Sequence, residues 1–368
     1  MRLTWDQVFA WRLRRQYVSA PADSVPEIVA RLAGVQAQVT SSAELAVALR
    51  AATPEPDALV RALAEGTLVK TWAMRGTLHA LTPATAAAGL ALIASARTWE
   101  KPAWERNFGA SPAQVAALTE QVRRVLDGKT LTREELVAAI VAEPGFADLG
   151  EQLRSGWGAL LKPLAWQGAI CHGPAQGNKI TFADPAQIIK DWPGLPEPDV
   201  AAPQAITAYL GAYGPATPEA FDAWLSRGSL RKTVLRRWFS ELGAAITEVE
   251  VEGRRGYVRS VDADELADTR PSGSVHLLGG FDQYVLGPGT GDTVLLPGDH
   301  RAKVSRTAGW ISPIVVVGGR ITGTWEWVED TAVISMFDGA PLPKRGLDAA
   351  VARLALALGR DTVPVRAG

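Results

Sequence analysis

Apolar residues recur along this chain at two periods, which alternate in blocks. Stretches near 4–16, 24–33, 42–52 and 56–65 place apolar residues every three to four positions, the stripe of an amphipathic helix. They give way to TLVKTWAMRGTLHAL (67–81), where a period of two predicts a β-hairpin around a Met-Arg-Gly turn. The order then returns. Helical periodicity over 112–127, a helix opening at TREELVAAIVA and another at 150–167 precede GAICHGPAQGNKITF (168–182), two short strands around Gly-Asn. Thr132 and Glu135 have the spacing of a capping box at the second of these helices. A third round runs PQAITAYLGAYG, TPEAFDAWLSRG and SLRKTVLRRWFSELG, then the hairpin AAITEVEVEGRRGYVRS (244–260), with its turn at Gly253 to Gly256.

Several helices followed by a two-stranded hairpin is the winged-helix plan. Three such units in tandem carry more weight than one, because three-helix stretches are common. Beyond Ser260 the pattern changes. Residues 275–337 alternate apolar positions with frequent Gly and Pro, which predicts several short strands in a small barrel or sandwich. A last amphipathic helix, Leu347 to Leu358, is expected to close its open side. The expected architecture is therefore α+β: winged-helix units over 1–110, 111–198 and 199–262, then a small C-terminal β-barrel-like domain over 270–368. The proline-rich LPEPDVAAP (195–203) marks the boundary before the third unit.

Composition narrows this picture in a few places. A chain of 368 residues is long enough for two to four domains. Its longest weakly polar run, 84–96, is too short to span a bilayer, and the first residues carry no apolar signal-peptide core. Cys171 is the single cysteine, so no internal disulfide can form, no cysteine-rich zinc site exists, and a cytoplasmic location is expected. Formal net charge is −1, from 38 basic and 39 acidic residues, which does not suggest a non-specific nucleic-acid coat. The basic residues are clustered, however. Residues 227–259 hold Arg227, Arg231, Lys232, Arg236, Arg237, Arg254, Arg255 and Arg259 against four glutamates, and Arg301, Lys303 and Arg306 form a further group. Each cluster taken singly fits a solvated face. In the third unit, a basic helix following the short turn Ser226-Arg227-Gly228-Ser229 and a basic wing beside it favour duplex contact.

GVQAQVTSS (34–42) holds the candidate chemistry. Gly34 reads as the C′ residue of the preceding helix, and Ser41 with Glu44 as a capping box opening the next one. Residues 35–40 should then be extended or irregular. In an extended segment Gln36 and Gln38 project to one side, with Val35, Ala37 and Val39 turned into the core. The other reading is a polar link whose amides satisfy neighbouring backbone groups, and spacing alone favours that one.

Here the sequence resembles the AlkZ/YcaQ family of bacterial winged-helix DNA glycosylases. The N-terminal helix, LAGVQAQ, LVKTWAMRGTLHAL and the units that follow carry the resemblance, which covers essentially the whole chain. Its most specific parts are Gln36-Ala37-Gln38 and Arg75-Gly76-Thr77-Leu78-His79. The glutamine–hydrophobic–glutamine form is that of the AlkZ branch; the YcaQ branch usually has aspartate at the second position. The resemblance implies excision of N7-alkylated purines, unhooking of interstrand crosslinks, and a role in base-excision repair or genotoxin self-resistance. It also implies a concave cradle of winged helices around double-stranded DNA, and Gln36 and Gln38 as catalytic residues. Glycoside hydrolysis ordinarily needs an acid and a base or nucleophile. An N7-alkylated purine is already cationic, so its departure needs no acid. Two amides suffice to hold a water and to place partial negative charge beside an oxocarbenium-like sugar.

Arg75, His79, Arg231, Lys232, Arg236, Arg237, Arg254, Arg255, His300, Arg301 and Lys303 are the candidate DNA contacts. For His79 a buried, hydrogen-bonded state is favoured over an approach to phosphate. No histidine pair has metal-ligand spacing, so no metal is expected. The glycine-rich GGFDQYVLGPGTGD (279–292) lacks the phosphate-loop and dinucleotide patterns and reads as barrel turns, so no cofactor is expected either. Three non-identical units in one chain suit a monomer. A winged-helix transcription regulator without catalysis is the competing assignment.

Overall fold

The computed structural model describes residues 1–156 and 158–368. It is a mixed α+β protein whose chain divides into two compact units. The first takes residues Met1–Val60, Thr207–Trp224 and Leu242–Gly368, and the second Arg61–Ile206 and Leu225–Glu241.

In the first unit the helix Trp5–Arg15 starts at a capping box in which Thr4 and Gln7 bond reciprocally. Its Val8, Phe9, Trp11 and Leu13 enter one apolar core with Val249, Val251, Val258, Leu277, Val315, Ile321 and Trp325. The N-terminus, the hairpin near 250 and the C-terminal sheet therefore share a single core. Strand Arg2–Leu3 adds in parallel to Ile246–Val251, which pairs antiparallel with Arg254–Arg259. The hairpin turn lies at Glu252-Gly253, both with positive φ, rather than across Gly253 to Gly256. Two left-handed residues give the tight loop that matches strand twist.

The C-terminal strands form an open sheet, not the expected barrel. Its order is Val275–Leu278, Ile314–Val317, Arg320–Val328, Thr331–Met336 and Val365–Ala367. Closure needs the first and last strands to pair across a common shear. Here the last strand has three residues and runs parallel to its neighbour, and the first lies against the helix Leu347–Ala357. The segment read as barrel turns is packed, not looped out: Asp282 caps the short helix Gln283–Leu286 through Tyr284 N at 2.8 Å, and a Cβ at Gly287 would overlap the Tyr213 ring.

In the second unit the hairpins Val69–Trp72/Leu78–Leu81 and Cys171–Gln176/Lys179–Ala183 join into one sheet. Lys70 opposes His172, and Leu131–Thr132 adds at the far side. The Thr132–Glu135 capping box is present. Helix Pro83–Ser95 is buried along most of its length, so its alanine-rich run is a packing sequence, small enough to sit among other elements. No helix among the described residues is long and apolar enough to cross a membrane.

Candidate active site

The helix Val25–Arg31 ends one residue earlier than glycine placement suggests. Ala33 takes the left-handed C′ position at φ 52°, and Gly34 follows at φ 112°. Ala33 N bonds Ala30 O at 3.0 Å and Gly34 N bonds Val29 O at 2.9 Å, the two bonds of a Schellman motif. Holding an alanine there costs about 1–2 kcal/mol. The carbonyl of Leu32 accepts a 2.6 Å hydrogen bond from the buried Tyr213 hydroxyl, which fixes the turn from outside the segment.

The chain leaves this turn as the strand Val35–Gln36. Val35 and Ala37 are in the core, as alternation requires, but Gln36 is also buried, at 6% exposure. The extended run stops there. Gln38 stands exposed on a bend, and Val39 is half-buried. The two amides thus occupy different environments, one beneath the surface and one at it. The next helix, Thr40–Ala48, begins with Val39 as an N-cap that supplies no side-chain bond. Ser41 is not the N-cap of a capping box, because the helix already starts at Thr40 and takes Ser41 into its first turn; Glu44 accepts from Val60 N at 3.0 Å.

Sequence reasoning missed the residues that hold this region from below. Arg50 and Asp282, both fully buried, make a bidentate ion pair at 2.8 and 2.7 Å. Arg50 also donates to the carbonyls of Gln16 and Ala46, each at 2.8 Å. A Cβ added at Gly280 would stand 3.8 Å from Ser42 Oγ, so the 279–283 segment packs beside the start of the helix that follows Gln38. Gln283 is fully buried. Its Oε1 lies 3.5 Å from Tyr213 Oη, and its Nε2 has no partner among the described residues. An aspartate and a glutamine inside an otherwise apolar, glycine-rich run were the available signal.

Among the basic candidates of the first unit, Arg254 and Arg255 are exposed at the start of the second hairpin strand, and Arg255 faces Glu248 at 3.5 Å. His300 stacks on Phe337 with ring centroids 4.2 Å apart and bonds Asp338 at 3.0 Å. Lys303 Nζ lies 5.3 Å from the same Phe337 ring, and Arg301 is exposed beside Thr290. The structure therefore gathers His300 and Lys303 around one aromatic residue.

In the second unit, Arg75 occupies the turn Met74–Gly76 at φ 57° and is half-buried. His79 takes the buried, hydrogen-bonded state and not the DNA contact offered beside it. Its ring is fully buried in the strand Leu78–Leu81, with Nδ1 3.0 Å from Thr77 O. Burial, helped by the charge of Arg75, lowers its pKa to about 3, so it is neutral and has no surface to offer a phosphate. Arg231, Lys232, Arg236 and Arg237 are all exposed at or on the helix Lys232–Glu241. Arg237 is already held by Asp199, through bonds of 3.0 and 2.6 Å. That carboxylate also accepts from the Trp238 indole at 2.7 Å.

A family model described as DNA glycosylase AlkZ-like matches residues 29–360. An interstrand DNA cross-link repair glycosylase from Streptomyces sahachiroi is 53% identical over 369 residues, spanning all of both chains. The solved structure of Streptomyces sahachiroi DNA glycosylase AlkZ is similar at a TM-score of 0.97 and 52% identity, again over all of both chains. These likenesses displace the regulator without catalysis that the basic helix and wing also allowed. A two-amide segment leaving a buried strand, inside a chain matched over its whole length, places this protein in the AlkZ-like family of DNA glycosylases.

Proposed function

We propose that this chain hydrolyses the N-glycosidic bond of N7-alkylated purines in double-stranded DNA and unhooks interstrand crosslinks, with Gln36 and Gln38 as its catalytic residues. The observation that carries this is the unequal placement of the two amides on one short segment. Gln38, exposed on the bend, is the group able to meet substrate and hold a water with its carbonyl oxygen. Gln36, at the end of the buried strand, supplies a fixed dipole in a low-dielectric setting, where partial negative charge near a sugar cation is worth most. The substrate's own positive charge replaces the general acid, so normal bases, which lack it, are not released. No lysine adjoins the glutamines to form a Schiff base, which fits hydrolysis without strand cleavage.

The same proposal takes the helices Pro198–Tyr213, Pro218–Ser226 and Lys232–Glu241 with the hairpin near 250 as one winged-helix unit of three, in a chain that acts on the duplex as a monomer. Arg231, Lys232 and Arg236, and Arg254 and Arg255 on the wing, are its phosphate contacts.

The test is a Gln38→Ala variant on duplex carrying 7-methylguanine, with alkali revealing abasic sites. Excision is expected to fall by two orders of magnitude or more while binding to the alkylated duplex is kept. Equal excision by the variant ends the assignment.

A further inference from the structure

The helix Val25–Arg31 and the strand Val35–Gln36 are joined by a turn that its own residues do not favour. Ala33 stands at φ 52°, a left-handed state that a Cβ makes costly, and the direction of the strand depends on it. With Ala33 in ordinary backbone the chain would leave the helix along another line and carry Gln36 and Gln38 with it. Leu32 O, just before this residue, is one of the carbonyls that a helix end leaves without an intrahelical donor. The hydroxyl of Tyr213, a residue 1% exposed, donates to it at 2.6 Å. A hydroxyl has one proton, and Gln283 Oε1 at 3.5 Å is the poorer acceptor, so that proton belongs to Leu32.

Tyr213 is itself placed by the run GGFDQYVLG (279–287). Gly287 closes the short helix Gln283–Leu286 at φ −66°, a backbone that any residue adopts, yet a Cβ there would overlap the Tyr213 ring. Its lack of a side chain thus serves the ring and not the conformation of the chain. Tyr209 and Trp224 pack on the same ring, with centroids 5.3 and 6.1 Å away. At the start of the run, a Cβ at Gly279 would lie 3.0 Å from Leu45 Cδ2, and one at Gly280 3.8 Å from Ser42 Oγ. One piece of remote chain therefore braces the glutamine segment on both sides, before Gln36 through Tyr213 and after Gln38 directly.

We infer that Tyr213 is a positioning residue for excision: its bond to Leu32 O holds the left-handed turn at Ala33, and that turn sets where Gln36 and Gln38 stand against the sugar. This rests on the assignment of the two glutamines as the catalytic pair. A misplacement of about 1 Å in a reacting group can cost on the order of a hundredfold in rate. Tyr213 is buried and does not touch substrate, so its contribution falls on rate and not on duplex affinity. A hydrogen bond that only stabilised the fold would leave the rate unchanged at temperatures well below unfolding. It would also be indifferent to strain at Ala33, whereas the positioning role is not.

The test is single-turnover excision of 7-methylguanine by the full chain, measured beside duplex binding and thermal unfolding. Tyr213→Phe keeps the ring and its packing, so it should fold; its excision rate should drop at least tenfold while binding to the methylated duplex stays within twofold. Gly287→Ala, which displaces the ring, should give the same split. Glycine takes the left-handed state without the cost that alanine meets, so adding Ala33→Gly to Tyr213→Phe should raise the rate at least threefold. Excision by Tyr213→Phe within twofold of the unaltered chain, binding lost in step with rate, or no recovery with Ala33→Gly overturns the inference. Gln38→Ala in the same series separates the two readings. Normal excision by that variant overturns the glutamine assignment and this inference with it. Loss there, with normal excision by Tyr213→Phe, overturns this inference alone.

Discussion

Arg50 and Asp282, separated by 232 positions, meet as a fully buried bidentate ion pair. Arg50 lies just beyond the helix that follows Gln38, and Asp282 caps a short helix of the C-terminal region. The pair ties the chain around the candidate active site to the C-terminal sheet's approach. Removing one partner leaves a charge buried without compensation, which typically costs about 3–5 kcal/mol. Arg50→Met should therefore lower stability by that amount in denaturant unfolding, and Asp282→Asn by somewhat less. A loss below about 1 kcal/mol for Arg50→Met would mean the pair does not hold the region.

The two glutamines should separate in their effects on stability. Gln36 is buried and Gln38 exposed, so Gln36→Ala should reduce both excision and melting temperature, whereas Gln38→Ala should reduce excision alone. Loss of a buried amide with its partners costs about 1–3 kcal/mol. Parallel measurement of excision rate and unfolding free energy checks this, and equal destabilisation by the two variants would contradict the environments described.

Acid should destabilise the second unit through its histidines. Burial lowers the pKa of both His79 and His172 to about 3, with nearby Arg75 acting on the first and Lys70 and Arg133 on the second. Both values lie below that of the unfolded chain. Their neutral-state contribution is therefore intact above about pH 6.5 and is lost as pH falls toward 3. Each costs about 2 kcal/mol at pH 5. His172 packs against Trp72 and Phe182, with centroids 5.2 and 5.1 Å away. His172→Leu should accordingly shrink the drop in melting temperature between pH 7 and pH 5. An unchanged drop would show that the ring is not the source.

DNA affinity should divide the basic helix. Neutralising Arg231, Lys232 or Arg236 singly should weaken binding to any duplex and lower the dependence of log affinity on log salt by about 0.9 each. Arg237→Gln should change the slope less, because Asp199 already holds that guanidinium with two hydrogen bonds. Binding measured between about 50 and about 300 mM salt distinguishes the four residues. A full unit of slope lost at Arg237 would show that DNA displaces the carboxylate.

The sequence by itself determined the three hairpins and most of the helices around them, since periods of 3.6 and 2 are local properties of the chain, but it did not mark the helices Pro83–Ser95 and Pro102–Phe108. It also placed the Thr132–Glu135 cap, which needs residues three apart, and the segment carrying Gln36 and Gln38. It misplaced the turn after Val251 and the end of the helix before Gly34 by small amounts, because a glycine nearby drew the assignment while Glu252 and Ala33 accepted positive φ. Only the tertiary structure decided which hairpins share a sheet, as in Lys70 opposite His172, and that the C-terminal strands stay open. It alone buried Gln36, left Gln38 at the surface, and joined Arg50 to Asp282. Each of these depends on which remote surfaces meet, and periodicity along a chain carries no record of that.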